Sequence, residues 1–368
     1  MAAPVLDYEY DGPDELADDY DACRPDFDET GSPRLPMGLN VGAQLFWMFN
    51  RHTDIAAQTN YILTYPQYWS ARLTGVAATE VSSLGCHTDL WCPFDKRFSS
   101  LVDDQGWKPL MAPVRRAADI LGPITANVAA LTGIDPATPV ACGIHDSNAS
   151  LFPHLRSRKA PFSVVSTGTW VISMSIGLLA EGLDPSRDTL VNVDAFGQPV
   201  PTARFMGGRE FELLMKGRRP KYQPEDIDRV LAMEFMRLPS METRSGPFQG
   251  VVGSWTTDQT LMSAGEYCVT VSFYLGLMTA TGLADTRAEG PVLVEGPFAD
   301  NRAYLNMLAS ATGRPVYAIS GTGTSKGAAL LLTSGDHQIS QRTDAPVPIQ
   351  PSSTMSIYAE TWQQQVID

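Results

Sequence analysis

Apolar residues recur every three or four positions in the first part of the chain, which is the spacing of one face of a helix. Residues 41–49 and 53–68 show this pattern, so we predict two or three packed helices that end at Leu73-Thr74-Gly75. Residues 1–37 are rich in Pro, Asp and Gly, and they are predicted to be irregular, with at most one short helix over 13–20.

The pattern changes to strand alternation after Pro161. Apolar and β-branched residues alternate over 162–166 and 170–176, which predicts a hairpin that turns at Ser166-Thr167-Gly168-Thr169. Two further strands are predicted over 189–194 and 198–204.

Helices and strands alternate in the last third of the chain. A long helix predicted from Leu261 to about Thr281 is followed by a strand over 292–295, a helix over 301–312, a strand over 316–319 and a helix that ends at Leu332. This order predicts a parallel pair of strands with glycine-rich loops at their carboxyl ends. In open α/β sheets, ligands bind at that edge.

Composition narrows the class of protein. A chain of 368 residues is long enough for two domains. Its net charge of −14 argues against a nucleic-acid surface, which needs clustered Lys and Arg.

We find no run of about 18 apolar residues for a membrane span, and no basic and apolar leader typical of a signal peptide. The five cysteines are scattered without a C-x-x-C pair, so we expect no disulfide framework, no metal site and a cytoplasmic location.

Asp146 is the first candidate for chemistry. It follows an apolar strand predicted over 140–144 and precedes a polar helix start, so its carboxylate is expected at the carboxyl end of the strand. A carboxylate there suits a general base that accepts a hydroxyl proton during attack on phosphorus. The alternative is an Asp that caps the helix.

Two glycine-containing turns are candidates for phosphate or nucleotide binding. Ser166-Thr167-Gly168-Thr169 could hold phosphate oxygens through backbone amides and hydroxyls, although a plain hairpin turn explains it as well. The loop 321–327, GTGTSKG, lacks the spacing of a Walker loop. Its glycines suit close approach of a flat ligand, and a helix cap is the alternative.

His145 has no Cys or His neighbours with the spacing of a metal site. A hydrogen bond to substrate or a structural contact is therefore expected for this side chain.

Five segments, taken in order, resemble the carbohydrate kinases of the FGGY family, which belong to the actin, sugar kinase and Hsp70 superfamily. NVGAQLFWMFNRH with ILTYPQYWSARLTG resembles the helical part of the first lobe, GIHDSNASL the segment of the catalytic Asp, and SVVSTGTWVISMSIG the second phosphate hairpin. VLVEGPFADNRAYLNMLASATGRPV is similar to the Gly-Gly-x-x-x-Asn-Arg segment, and GTGTSKGAALL to the adenosine loop.

The resemblance implies a two-lobed α/β protein with the actin-like ATPase (ribonuclease H-like) fold. Residues 1–158 would form the later part of a sugar-binding lobe, and residues 159–368 a nucleotide-binding lobe. Asp146 would be the base, and His145 and Asn148 would contact substrate. The residues implied for the nucleotide are Thr167, Gly168, Thr169, Gly296, Asn301, Gly323 and Thr324.

Three departures from the family pattern stand out. The opening Asp-x-Gly-Thr-Thr hairpin of the first lobe does not occur, so that lobe is expected to be incomplete. Gln44 stands where the family has Lys. Pro297 follows Gly296 where a second Gly is usual, which removes a backbone donor.

The activity implied by the resemblance is ATP-dependent phosphorylation of a ketose, such as a pentulose or deoxyhexulose, or of a related polyol. The implied cofactors are ATP and Mg²⁺, and the implied partner is a small sugar; a homodimer is an open option. The alternative is a catalytically silent fragment that retains a nucleotide-binding lobe. A third hypothesis, sugar sensing without kinase activity, predicts tight sugar binding that ATP does not change.

Overall fold

The computed structural model describes residues 1–7, 10–218, 220–319, 323–333 and 347–367. The helices in that part of the chain are α1 (Ala17–Asp21), α2 (Phe27–Thr30), α3 (Val41–Arg51), α4 (Thr53–Gln58), α5 (Tyr65–Thr74), α6 (Val81–Leu84), α7 (Ser100–Asp104), α8 (Ala126–Thr132), α9 (Asp146–Ser157), α10 (Gly207–Met215), α11 (Pro224–Met233), α12 (Ala264–Asp285), α13 (Arg302–Thr312), α14 (Thr324–Leu330) and α15 (Ser353–Ile367). The strands are β1 (Thr79–Glu80), β2 (Trp91–Cys92), β3 (Arg97–Phe98), β4 (Val114–Arg115), β5 (Ile120–Pro123), β6 (Pro139–Ala141), β7 (Phe162–Thr167), β8 (Val171–Ile176), β9 (Thr189–Val193), β10 (Pro199–Phe205), β11 (Val292–Glu295) and β12 (Val316–Ala318).

The described residues fall into two units. The first lies within Met1–Arg158, Leu190–Pro199 and Thr322–Ile339, and the second within Lys159–Thr189, Val200–Gly321 and Ser340–Asp368.

The first unit is mainly helical, with three short strand pairs. β1 pairs with β4 in parallel, whereas β2 with β3 and β5 with β6 are antiparallel. Side chains from α1, α3, α6 and α7 form its largest core, where Tyr20, Leu84 and Leu101 are almost fully buried. Because these strands are short, helices contribute most of the packing in the first unit.

The second unit contains a mixed sheet in which five strands lie in the order β12-β11-β7-β8-β10. β11 is parallel to both β12 and β7, while β8 is antiparallel to its neighbours β7 and β10. The predicted hairpin and the predicted parallel pair are therefore both present. Their common end carries the turn at Gly168 and the turn at Gly296.

α12 is the central helix of the second unit and packs against β8, α10, α11 and α13. Its side chains are buried on all sides from Gly265 to Ala280 because neighbouring elements surround it. By length and composition alone this helix could cross a membrane, and 89% of its most apolar window is buried inside the unit. Such burial is typical of a core helix in a globular protein.

Several predicted elements differ from the structure. The helix expected over 53–68 is two separate helices, α4 and α5. Pro66 lies in the first turn of α5, where its missing N–H removes no hydrogen bond within the helix. α8 was not predicted, and Thr125 caps it by accepting a hydrogen bond from the amide of Val128. α15 was not predicted. The loop residues Gly321 and Thr322 lie outside the described part of the chain.

Candidate functional site

Asp146 is the first residue of α9, and His145 is the N-cap residue. The Asp146 side chain is 76% exposed, and one of its oxygens lies 3.4 Å from Nε2 of His145. That oxygen also accepts from the amide of Ser147 at 2.6 Å. The capping alternative is wrong, because His145 is the N-cap residue and no side chain caps α9. Most of the surface of the Asp146 carboxylate is available to a ligand.

A buried carboxylate fixes the backbone next to this residue. Glu80 accepts hydrogen bonds from the amides of Ser82 and Ser83 and from the hydroxyl of Ser82 at 2.5 Å. The Ser82 oxygen in turn accepts from the amide of His145 at 3.2 Å. Burial raises the pKa of Glu80, which these hydrogen bonds partly oppose. The start of α9 is therefore held by a chain of hydrogen bonds from the neighbouring α6.

The surroundings of His145 favour its protonated form. Burial of the ring disfavours that form, but the negative charges of Cys86, Asp146 and Glu80 outweigh it and raise the pKa of His145 to about 9. The shift favours an imidazolium next to the Asp146 carboxylate. Asn148 is only 4% exposed, so its side chain is buried two residues after Asp146.

The glycine-rich helix start packs directly on α9. The hydroxyls of Ser150 and Thr324 lie 3.2 Å apart. A Cβ atom at Gly327 would stand 1.6 Å from the carbonyl oxygen of Ala149, so only glycine permits this approach. Gly323 is the exposed N-cap residue of α14 with a φ of +67°, a conformation that favours glycine. Asp146, Gly323 and Thr324 thus belong to the same unit.

The predicted phosphate turn is joined to the Gly296 turn in the second unit. Thr167 is buried, and its hydroxyl donates to the carbonyl of Glu295 at 2.5 Å and accepts from the amide of Phe298 at 3.1 Å. A Cβ atom at Gly296 would lie 2.0 Å from the carbonyl oxygen of Thr167. The Thr167 hydroxyl therefore ties two loops together, while Gly168 and Thr169 are exposed at the tip of the turn.

A cavity of about 500 Å³ opens beside these turns. Its volume is typical of sites for small molecules and cofactors. Its lining combines aromatic, charged and glycine residues from the hairpin turn, α10 and the Gly296 turn. The lining residues include Gly168, Thr169, Gly208, Arg209, Phe211, Glu212, Tyr222, Cys268, Pro297, Phe298, Asp300 and Asn301.

Asn301 has structural partners. Its side-chain oxygen accepts from the amide of Tyr304, which caps α13, and its amide nitrogen donates to Ser272 at 2.9 Å. Asn301 therefore lines the cavity, and its amide group makes hydrogen bonds within the cavity wall.

Sequence reasoning missed Gly208 and Tyr222. The amide of Gly208 donates to the carbonyl of Thr169 at 3.1 Å, which docks the start of α10 on the hairpin turn. The hydroxyl of Tyr222 accepts from the amide of Ala303 at 2.9 Å and so closes another side of the cavity. The adjacent pair Gly207-Gly208 at the start of α10 was the available signal, whereas nothing in the sequence near Tyr222 pointed to the cavity.

Among the described residues, no three His, Cys, Asp or Glu side chains are grouped so that they could hold a metal ion. The first unit contains Asp146, His145, Asn148, Gly323 and Thr324, and the second contains the hairpin turn, Gly296 and Asn301.

Comparison with known proteins identifies related chains for both units. Residues 29–153 match the N-terminal domain of the FGGY family of carbohydrate kinases, and residues 159–342 match a domain described as carbohydrate kinase FGGY, C-terminal domain. An autoinducer-2 kinase from Escherichia coli is 24% identical over 163 residues, which is 42% of this chain and 29% of that kinase. The chain thus matches less than a third of the length of this curated relative.

Solved structures extend the comparison over nearly the whole chain. A carbohydrate kinase from Novosphingobium aromaticivorans superposes with a TM-score of 0.90 at 36% identity, covering 99% of this chain and 82% of that one. A xylulose kinase from Lactobacillus acidophilus gives a TM-score of 0.74 at 15% identity, covering 97% and 77%. The second likeness concerns the fold alone.

These matches confirm the predicted α/β, two-lobed kinase fold, and they offer no support for the silent-fragment alternative. The chain belongs to the FGGY family of carbohydrate kinases.

Proposed function

We propose that the protein transfers the γ-phosphoryl group of ATP to a hydroxyl of a ketose, or of a related polyol, with Asp146 as general base. The observation that supports this most is the exposed Asp146 carboxylate at the start of α9, in the helix on which the glycine-rich start of α14 packs. A base must reach substrate, and a carboxylate that is largely exposed at a rigid helix start can do so.

Each side chain near Asp146 has a proposed role. Asp146 takes the proton of the attacking sugar hydroxyl as the new O–P bond forms. The His145 imidazolium donates a hydrogen bond to a carbonyl or hydroxyl oxygen of the sugar. Asn148 helps to fix the helix turn that carries both, since its side chain is buried. A ketose and a polyol both offer such an oxygen on the carbon next to a hydroxyl, so this contact is compatible with either substrate.

The nucleotide is proposed to occupy the cavity beside Gly168. The backbone is exposed at Gly168, Thr169 and Gly296, so phosphate oxygens can approach it closely. Aromatic side chains such as Phe211 and Phe298 give the cavity an apolar wall for a base. Contact of Gly323 and Thr324 with the nucleotide stays a prediction, and so does the lobe boundary after residue 158.

Mg²⁺ is proposed to arrive with the phosphates of ATP. This ion usually keeps several waters and is held by one or two carboxylates together with phosphate oxygens. The described residues offer no dedicated three-ligand cage, so phosphate oxygens and water would supply most of its ligands. The ion would neutralise charge on the transferring group.

The proposal is tested by measuring ATP consumption with xylulose, gluconate and glycerol, the compounds in the names of three kinases that are structural neighbours of this chain. Asp146→Asn should lower kcat on the accepted substrate by about 100-fold or more, the usual contribution of a general base. Its thermal midpoint should stay close to that of the unchanged protein, because the side chain is exposed.

Asp54→Asn is the matched control, since Asp54 is also an exposed carboxylate in the first turn of a helix of the first unit. This variant should keep full activity. Equal kcat values for Asp146→Asn and Asp54→Asn on an accepted sugar would refute the role of Asp146, and ATP binding without turnover on every sugar would refute the kinase assignment.

A further inference from the structure

Arg209 is the one positively charged residue among the described residues that line the cavity of about 500 Å³ beside the hairpin turn. The residue is exposed, and within the described part of the chain its guanidinium makes no ion pair and no hydrogen bond. Glu242 attracts it electrostatically, but the two carboxylate oxygens of Glu242 are bonded to Arg244, at 3.0 and 3.4 Å. The Arg209 guanidinium is therefore a cation at the cavity whose hydrogen-bond donors are available.

The position of Arg209 in α10 does not stabilise the helix. The partial positive charge at a helix N-terminus favours carboxylates in the first turn and disfavours cations. Glu210 is the carboxylate of that turn, and it accepts hydrogen bonds from the amides of Met241 and Glu242, at 3.2 and 2.9 Å. Arg209 lies in the same turn with the unfavourable sign of charge. An anionic ligand in the cavity would offset this repulsion.

Several backbone N–H groups around the cavity already have partners or are missing. The amides of Gly208 and Arg209 both donate to the carbonyl of Thr169, at 3.1 and 3.3 Å. The amide of Gly168 donates at 2.9 Å to the carbonyl two residues further along, and Pro297 has no N–H. A phosphate beside this turn therefore gains most from a side-chain donor, and a guanidinium has five N–H groups.

We propose that Arg209 binds a phosphate group of the nucleotide, through paired N–H···O contacts from its guanidinium. The inference rests on the proposed function, in which ATP occupies this cavity, and it adds the side chain that selects the phosphates. Arg contacts phosphate with two parallel hydrogen bonds, whereas Lys acts as a point charge. The lining also includes two carboxylates, Glu212 and Asp300, which repel phosphates, so a cation is needed for tight binding.

The test is calorimetric titration of the full chain with ADP and with adenosine at a fixed concentration of Mg²⁺. Arg209→Ala should weaken ADP binding about 10- to 100-fold, the range for hydrogen bonds to a charged group. Adenosine has no phosphate, so its affinity should change by less than about threefold. The thermal midpoint should not fall, because the side chain is exposed and its charge opposes the helix dipole.

Lys159→Ala is the matched control. It also removes one exposed positive charge from the second unit, before the end of β7 that is opposite to the hairpin turn. This variant should change ADP affinity by less than about threefold. Arg209→Lys keeps the charge without the paired donors, so its ADP affinity should lie between those of the unchanged protein and Arg209→Ala. Added NaCl should weaken ADP binding more steeply in the unchanged protein than in Arg209→Ala, because salt screens the lost charge contact.

Equal ADP affinities of Arg209→Ala and Lys159→Ala would overturn the contact, and so would equal losses of ADP and adenosine binding in Arg209→Ala. Formation of sugar phosphate by the unchanged protein distinguishes this failure from failure of the proposed function, because turnover would then persist without the contact. An unchanged protein that binds no ADP would overturn both.

Discussion

Gly208 and Gly168 face each other where α10 meets the hairpin turn, and only one of them has room for a side chain. A Cβ atom at Gly208 would lie 2.0 Å from the carbonyl oxygen of Gly168, whereas a Cβ atom at Gly168 would have its nearest neighbour at 3.9 Å. Gly208→Ala must therefore push the turn away from the helix. Overpacking of this kind costs about 1–3 kcal/mol.

We predict that Gly208→Ala lowers the thermal midpoint by about 2–12 °C and weakens ATP binding measured by calorimetry, because the cavity wall moves. Gly168→Ala in the same turn should leave the midpoint within about 2 °C of the unchanged protein. Equal midpoints for the two variants would show that the close contact between turn and helix is not maintained in solution.

Individual residues differ in how far sequence could predict them. The positions of Asp146 and of the turn at Gly168 could be predicted. Asp146 lies between a predicted strand and a helix start, and the turn lies between two predicted strands. The hydrogen bond from the amide of His145 to Ser82 could not be predicted, since it depends on how α6 packs beside α9. Thr167 was predicted to lie in the turn, but it is the last residue of β7. Its hydroxyl is bonded to Glu295 and Phe298, a pairing that depends on the parallel neighbour β11.

At the scale of elements, α15 contributes a large side chain to the core of the second unit. Trp362 is 1% exposed, and its indole N–H donates to the carbonyl of Arg237 at 2.7 Å. Trp362→Ala should lower stability by about 3–5 kcal/mol, through lost burial and an unpaired carbonyl. The thermal midpoint should fall by at least ~6 °C.

Ile357 on the same helix is 62% exposed and provides the control. Ile357→Ala should change stability by no more than about 0.5 kcal/mol. If both variants unfold at the same temperature as the unchanged chain, α15 does not pack as described.

The start of α12 carries a capping box. The Ser263 hydroxyl accepts from the amide of Glu266 at 3.1 Å, and the Glu266 carboxylate accepts from the amide of Ser263 at 2.7 Å. Ser263→Ala should cost about 1 kcal/mol, which is a fall of about 2–4 °C in the thermal midpoint. Ser263→Thr keeps the hydroxyl and should retain the midpoint. A larger loss in the Thr variant than in the Ala variant would contradict this account of the cap.

Hydrophobic periodicity predicted the elements with clear patterns. It missed the elements that depend on contacts with residues distant in the sequence. The apolar pattern made α12 predictable, although its burial on all sides follows from the elements packed around it. The short strands β1 and β4 have only two residues each and exist because they pair with each other. A strand of two residues is too short to show a periodic pattern in the sequence.

At the scale of the whole molecule, the order of five motifs predicted the family, and the comparisons confirm it. The acidic net charge of −14 agrees with a small-molecule substrate rather than nucleic acid. Roles of single residues, the sugar and the cytoplasmic location stay predictions, since they depend on ligand contacts and cellular context that no fold determines.

The central claim is transfer of a phosphoryl group to a sugar, and the fate of that group tests it most directly. The full chain is incubated with ATP labelled in the γ-phosphoryl group, Mg²⁺ and each candidate sugar, and the products are separated by mass. We predict labelled sugar phosphate and ADP in equal amounts, with loss of the sugar phosphate in Asp146→Asn and its retention in Asp54→Asn. Label found only in inorganic phosphate, or sugar phosphate formed equally by Asp146→Asn, would contradict the account.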